Sequence, residues 1–284
     1  MSGPLALGTR GSALALAQAR LVADALGGAS EIRVVRTVGD ASTRPLQELG
    51  DGVFVSALED ALRGGSIDAA VHSLKDLPTG PRLALVVAAI LPREDPRDVL
   101  ITSARHGLAS LVPNARVGTS SPRRDAALRA VRPDIVTSPI RGNVETRLEK
   151  VARGEYDATV LALAGLRRLG LPVGDDELVE LAVMLPAPGQ GAIAVQCRAD
   201  DAMSWERLAR IDDHATRQAT DAERELLRLF GGSCDLALGA LAQVDAQGIV
   251  LDAMLGDRRA SARGREPLAL AAAVATDLGA VRVA

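Results

Sequence analysis

Aromatic side chains are almost missing from this sequence. It has one Trp, one Tyr and two Phe, 1% of 284 residues, which argues against a platform that stacks the bases of single-stranded nucleic acid. Lysine is nearly absent too. Of 33 basic residues only Lys75 and Lys150 are Lys, the rest being Arg. Two cysteines, Cys197 and Cys234, cannot build a disulfide framework, and nothing has the spacing of a metal-ligand cluster. No long apolar run occurs: the longest, Leu83 to Leu91, is far shorter than the roughly 20 residues of a membrane span. The first residues lack the basic region of a secretory signal, and Arg10, Ser12 and Gln18 interrupt their apolar stretch. The expectation is a soluble, reduced, cytoplasmic protein with no membrane or nucleic-acid partner.

What is present is a globular composition, 48% hydrophobic and 24% charged, with a net charge of −3. That charge implies no general polyanion-binding surface, so basic residues have to be read by position. Short apolar strands alternate with helical segments along most of the chain. PLALGT, EIRVVRT, DAAVHS, LALVVAAIL, DVLITS, ARVGTS, DIVTSPI and YDATVLAL read as strands. SALALAQARLVADAL, VFVSALEDALRGG, SPRRDAALRAV, GNVETRLEKVARG and AGLRRLG read as helices. This is an open α/β pattern. In the first helix Leu14, Ala17, Leu21 and Leu26 mark the face expected to be buried. Residues 38–51 are polar and read as a mobile loop. PREDPRD at 92–98 and MLPAPGQG at 184–191 break the pattern, which suggests two lobes joined by two crossings. After residue 212 a long helix, three strands and a last helix read as a small α+β domain. The expected division is residues 1–91 with 190–210, residues 92–189, and residues 211–284.

Three local patterns carry chemistry. The first repeats: a strand ends, and Arg with Ser, Thr or Gly opens the next helix, at GTRGS (8–12), GTSSPRR (118–124) and PIRGNVETR (139–147). Helix N-termini offer unpaired N–H groups and partial positive charge, and ligands of open α/β sheets bind outside the carboxyl ends of strands. Arg10, Arg123, Arg124, Arg141 and Arg147 are therefore expected in one cleft that takes a ligand with several carboxylates or phosphates. Ser120 or Ser121 suits the N-cap and Pro122 the first helical position. In the second pattern, HSLKDLP at 72–78, a buried strand delivers Ser73, Lys75 and Asp76 to its carboxyl end, where a carboxylate can stabilise a cation or move a proton. His72 reads as a strand residue with its hydrogen bond satisfied. In the third, LFGGSCDLALG, Cys234 follows two glycines at a helix end and suits an accessible nucleophile better than Cys197, which sits in the strand-like AIAVQC.

The segments GTRGSALALAQ, GVFVSALEDAL, DAAVHSLKDLPT, REDPRDVL, VGTSSPRRDAAL, IRGNVETRLEKVARGEYDATVLALAGLRRLG, LPAPGQGAIAVQCR and GGSCDLALGA together resemble the porphobilinogen deaminase family, in family order over nearly the whole chain. The resemblance implies two α/β lobes like type II periplasmic binding domains and a small third domain carrying a cofactor cysteine. It implies a transferase of tetrapyrrole biosynthesis that joins four porphobilinogen molecules, with loss of ammonia, into hydroxymethylbilane. The primer would be dipyrromethane, held by a thioether to the residue matching Cys234. Asp76 matches the family's catalytic Asp, with Lys75 beside it. Residues that hold cofactor and substrate carboxylates match Arg10, Ser12, Ser121, Arg123, Arg124, Arg141, Arg147 and Arg168. Gln190 matches a Gln at the interdomain crossing, and Phe54 an active-site Phe. Each pyrrole carries an acetate and a propionate, so growth needs several Arg forks. Loss of ammonia leaves a cationic methylenepyrrolenine, which a buried carboxylate at Asp76 would stabilise. The family's loop before the Phe often carries Lys, whereas LQELGDGVF has none. A monomer is expected. The alternative is a non-catalytic, two-lobed carboxylate-binding module, which would not need HSLKDLP together with GGSC.

Overall fold

The computed structural model describes residues 3–28, 30–36, 53–232 and 235–280. The 38–51 loop, Cys234 and the side chain of Phe54 lie outside the described residues. The chain divides into two compact units, Met1–Arg93 with Ala192–Gln218, and Glu94–Gly191 with Ala219–Ala284. Strands β1 (Leu5–Thr9), β2 (Ser30–Val34), β3 (Ala69–Ser73) and β4 (Leu85–Ile90) lie in the first unit. The second takes β5 (Asp98–Thr102), β6 (Arg116–Gly118), β7 (Val136–Ser138) and β8 (Ala158–Ala162), and β9 (Ile193–Arg198) returns to the first.

In the first unit the sheet order is β2-β1-β3-β9-β4. β1 pairs in parallel with β2 and β3, and β9 runs antiparallel to β3 and β4. All five residues of β1, LALGT, are buried, as expected of a central strand covered on both faces. Helix α1 (Ala13–Ala25) starts where the Ser12 side chain accepts the Ala15 N–H, a side-chain N-cap. Helix α2 is Val53–Arg63. Leu5, Leu7, Val71 and Val195 form one core with Ala19 and Val22 of α1, while Ala70 and Ile67 pack with Leu58 and Leu62 of α2 in another.

The buried face of α1 differs from the expected one. Gln18, Ala19 and Val22 are buried, and Leu21 is 43% exposed. The helix is rich in Ala and Leu all round, so apolar spacing marks no single stripe. Its rotation is fixed instead by Gln18, which needs a polar partner on β3.

In the second unit the order is β5-β8-β6-β7, with β6 parallel to β7 and β8, and β5 antiparallel to β8. Helix α3 (Pro122–Val131) begins at N-cap Ser121 with Pro122 in its first turn, and α4 (Val144–Ala152) begins at Asn143, whose side chain accepts the Thr146 N–H. Helix α5 is Leu163–Arg168. In the first unit, α6 (Ala202–Ala209) is a helix that the sequence pattern does not announce. Asp201 caps it and Leu208 is buried. Helix α7 spans His214–Leu229.

The C-terminal part is an antiparallel meander of β10 (Leu238–Asp245), β11 (Gly248–Leu255) and β12 (Arg258–Gly264), followed by α8 (Pro267–Asp277). Alternation gives the meander two buried faces. Ala240, Ala242, Leu251 and Ala253 pack with Ala222 and Leu226 of α7 and with Val274 of α8. Leu241 and Met254, on the opposite face, join Met184 and Leu185 in the core that also holds Leu100, Val117 and Leu128. This second face is why the small domain groups with the neighbouring lobe in one compact unit.

Gly142 precedes the cap of α4 with a φ of +110°, and a Cβ there would lie 2.5 Å from Thr146 Cγ2. Both facts demand glycine. Gly142→Ala is expected to lower stability by about 1–3 kcal/mol, read as a lower urea midpoint with an unchanged slope.

Candidate active site

In the first unit the site grows from the parallel pair β1 and β3, in register at Leu7 with Ala69 and Gly8 with Ala70. Their carboxyl ends therefore release side chains at the same sheet edge. After β1 come Arg10 and Ser12. After β3 the chain makes a 3-10 turn over Leu74–Asp76. Gln18 of α1 donates from Nε2 to Ser73 Oγ at 2.9 Å, and Ser73 Oγ lies 3.2 Å from Gln18 Oε1. These contacts fix α1 against β3. A cavity of about 80 Å³ results, lined by Arg10, Ser12, Gln18, His72, Ser73 and Asp76, with Val55 and Val71 among its apolar walls. The sequence pattern puts Arg10, Ser12 and Asp76 in one site, and the structure brings these three together.

One expectation needs correction here. Asp76 is exposed, not buried. In the 3-10 turn Leu74 and Leu77 take the inward positions, at 1% and 4% exposure, and Asp76 is left exposed where it lines the cavity. Lys75 is half-buried. His72, expected to have its hydrogen bond satisfied, is buried beside Gln196, the side chain placed to bond it. Burial pushes the His72 pKa down to about 4; the Glu59 charge and a side-chain hydrogen bond with Gln196 oppose it, and the charges of Arg10 and Arg82 add smaller downward pushes. Glu59, buried on α2, receives Arg82 Nε at 2.7 Å and Nη2 at 2.6 Å. Burial would raise its pKa, but the Arg82 fork more than offsets this and holds it below the usual carboxylate range.

In the second unit the strand ends again carry polar residues. Ser121, not Ser120, is the cap of α3 and accepts the Arg124 N–H. Ser120 instead donates from Oγ to Ile140 O at 2.9 Å and accepts the Ile140 N–H at 3.2 Å. It thereby ties the GTSSPRR turn to the PIRGN turn. Arg123 and Arg124 were expected to be forks awaiting an external anion, but both are buried against Asp98. Arg123 Nη1 lies 2.8 Å from Asp98 Oδ2, and Arg124 Nη2 lies 2.7 Å from Oδ1. Arg123 also donates to Leu185 O at 2.6 Å and Arg124 to Val160 O at 2.9 Å. Burial alone would raise the Asp98 pKa, yet the two guanidiniums hold it well below the carboxylate range. The Nε atoms of both arginines are buried without a partner among the described residues.

Gln190 is 1% exposed and donates from Nε2 to Pro96 O at 2.7 Å and to Asp98 Oδ1 at 3.0 Å. Both bonds come from the amide nitrogen and clamp 96–98 to 190. Arg168 is half-buried and donates to Gly191 O at 2.6 Å. Its pKa is pushed down to about 10 by burial, with Glu94 opposing. Arg141 and Arg147 are half-buried, and Arg147 Nε donates to Gly142 O at 3.0 Å. Sequence reasoning missed Glu223, fully buried on α7, which receives the N–H groups of Gly189 and Ala242 at 2.7 Å each. Cys197 is buried in β9, its thiol pushed up to about 11 by burial, as suits an inert residue. Among the described residues no group of side chains could hold a metal ion, and no helix is long and apolar enough to cross a membrane.

Comparison with known proteins gives a context for this donor-rich geometry. Residues 5–206 match the family model described as porphobilinogen deaminase, dipyromethane cofactor binding domain, a span that stops short of Cys234. A porphobilinogen deaminase of Nocardia farcinica is 52% identical over 85% of this chain and 70% of its own length. One from a Roseiflexus species is 46% identical over 98% of this chain and 96% of its own length. Among solved structures, the lipoprotein Tp32 of Treponema pallidum aligns with a TM-score of 0.47 at 12% identity, covering 74% of this chain and 91% of that one. A periplasmic binding protein of Salmonella typhimurium aligns with a TM-score of 0.40 at 13% identity, covering 76% and 94%. By the family model and these relatives, the chain belongs to the porphobilinogen deaminase family.

Proposed function

We propose that this chain joins four porphobilinogen molecules head to tail, with release of ammonia, into the linear tetrapyrrole hydroxymethylbilane on a covalently held dipyrromethane primer. The observation that carries the residue-level reading is the cavity shared by Arg10, Ser12 and Asp76 at the ends of β1 and β3. It sets a guanidinium and a hydroxyl for an acid arm beside a carboxylate for a developing cation. A non-catalytic binding module, the other reading of the sequence, is not favoured by the family match.

The donor set suits dipyrromethane. Its acid arms need cationic groups, and Lys75, Ser121, Arg123 and Arg124 are the residues proposed to hold it, the last two by their positive charge rather than as open forks, since both are buried against Asp98. The primer, attached through a thioether to Cys234, supplies the pyrrole α-carbon from which the chain grows. Arg10, Ser12, Arg141, Arg147 and Arg168 are proposed to hold the acid arms of incoming substrate by charge-assisted hydrogen bonds, with Phe54 bordering the ring. Gln190 keeps the 96–98 and 190 segments together. When the C–N bond of porphobilinogen breaks, ammonia departs and positive charge spreads over the pyrrole. Asp76 is the fixed negative charge proposed to stabilise it. The reading includes a cytoplasmic monomer and a third domain over 211–284 that presents Cys234.

The test is the intact mass of the purified protein and its turnover of porphobilinogen. Wild-type protein is expected to exceed its sequence mass by one dipyrromethane, and Cys197→Ser to keep that excess, because the Cys197 thiol is buried. Cys234→Ser is expected to lose it completely. Cofactor mass retained in Cys234→Ser would remove Cys234 as the attachment site.

A further inference from the structure

We infer that the second unit carries a further binding site, for a small zwitterion: Arg259 takes its carboxylate and Asp252 its ammonium. The inference goes beyond the function proposed above and does not depend on it. It starts from an acid in an unusual place. Asp252 lies within β11, the central strand of the meander, where Asp is a poor strand former. Residues directly opposite in paired strands share a face. Leu241, Asp252 and Ser261 therefore form one row across the sheet, and Met254 with Arg259 belongs to the next. On that face Leu241 and Met254 are buried in a core with Met184 and Leu185. Asp252 is half-buried beside them, and among the described residues its carboxylate has neither a hydrogen bond nor an ion pair. Arg259 is turned to a neutral partner, donating from Nη2 to Ala182 O.

The two charges meet in one place without pairing. A cavity of about 380 Å³ is lined by Leu181, Ala182, Leu185, Asp252, Arg259 and Ser261. That is within the range of small-molecule pockets, about 300–1,000 Å³. Its 181–185 wall is tied down on the other side. Leu185 O accepts Arg123 Nη1 at 2.6 Å, and Glu180 O accepts the Val183 and Met184 N–H groups at 2.9 Å each. The charge pattern selects the ligand. A metal cation would be repelled by Arg259, and a phosphate or dicarboxylate by Asp252. A molecule with an ammonium and a carboxylate at the two ends of a short apolar body satisfies both. Leu181 and Leu185 would cover the body, and the Ser261 hydroxyl can donate to the carboxylate.

The experiment titrates the full-length protein with 5-aminovalerate while backbone amide resonances are followed. Valerate and pentylamine, which carry one charge each, are the controls. The zwitterion is expected to shift the amides of Ala182, Leu185, Asp252 and Ser261 together. Each control is expected to bind about tenfold more weakly, the value of one charge-assisted hydrogen bond. Arg259→Leu and Asp252→Asn are each expected to weaken the zwitterion by a similar factor. Arg259 is exposed and Asn keeps the shape of Asp, so both variants should fold. Valerate should bind Asp252→Asn no more weakly than wild type, because it makes no use of that carboxylate. No shift of these amides at about 100 mM, a hundred times a weak Kd of about 1 mM, would overturn the inference. Valerate binding wild type as tightly as 5-aminovalerate does would overturn it as well. No turnover is measured, so neither result touches the proposed function.

Discussion

Asp98→Asn is expected to cost about 3–5 kcal/mol of folding stability, the penalty for removing one partner of a buried ion pair. Asp98 is fully buried and sits at the start of β5, opposite Ala162 at the end of β8. It receives Arg123, Arg124 and the Gln190 amide. An Asn keeps the shape but cannot balance two guanidiniums that are 3% and 8% exposed. A domain's whole stability is about 5–15 kcal/mol, so the loss is a large share of it. The pH dependence follows from the lowered pKa. An unfolded Asp titrates near about 3.9. The native one titrates lower, so its stabilisation is complete above that value and is lost only as pH falls through the native pKa. The deficit of Asp98→Asn, measured by urea unfolding, should therefore be constant from neutral pH down to about pH 5. A deficit under about 1 kcal/mol would mean that the arginines find other partners. Replacing all three residues with apolar ones of similar volume should be far less damaging than the single change.

That cluster shows where the sequence was legible and where it was not. Helix starts were readable because their causes are local. Ser12, Ser121 before Pro122, and Asn143 all cap as side-chain chemistry dictates. The grouping of Arg10, Ser12 and Asp76 was readable because β1 and β3 end at the same sheet edge. What failed depended on partners distant in sequence. Arg123 and Arg124 look like free forks until Asp98, on another strand, is brought against them. The partners of the Gln190 amide nitrogen, Pro96 and Asp98, lie more than ninety residues away and could not be read beforehand. The exposure of Asp76 turns on which residues of a three-residue turn face inward, and Leu74 and Leu77 take those places. Helix α6 was missed because its largest apolar residues, Met203 and Trp205, are exposed and only Leu208 among its large side chains is buried, so hydrophobic residues alone do not mark its inner face.

Asp76→Asn is expected to lower kcat about a hundredfold or more while leaving the fold and the cofactor load intact. The two halves of that expectation come from different observations. Because Asp76 is exposed, losing its charge should change stability by no more than about 0.5 kcal/mol, in contrast to Asp98. Because Leu74 and Leu77 anchor the turn on either side of it, the carboxylate is held at a fixed place beside the cavity of Arg10 and Ser12. A fixed charge needs no reorganisation when positive charge develops on the substrate, and that is the source of its catalytic value. Exposure adds one condition. Water screens a surface carboxylate, so the stabilisation reaches full strength only when bound pyrroles exclude solvent around Asp76. Asp76→Glu keeps the charge but moves it by one methylene, so it should retain partial turnover. Wild type, Glu and Asn should therefore fall in that order in kcat, with melting temperatures and intact masses alike apart from the substitution itself. A folded, cofactor-loaded Asp76→Asn with near wild-type turnover would show that the developing cation is stabilised by another group.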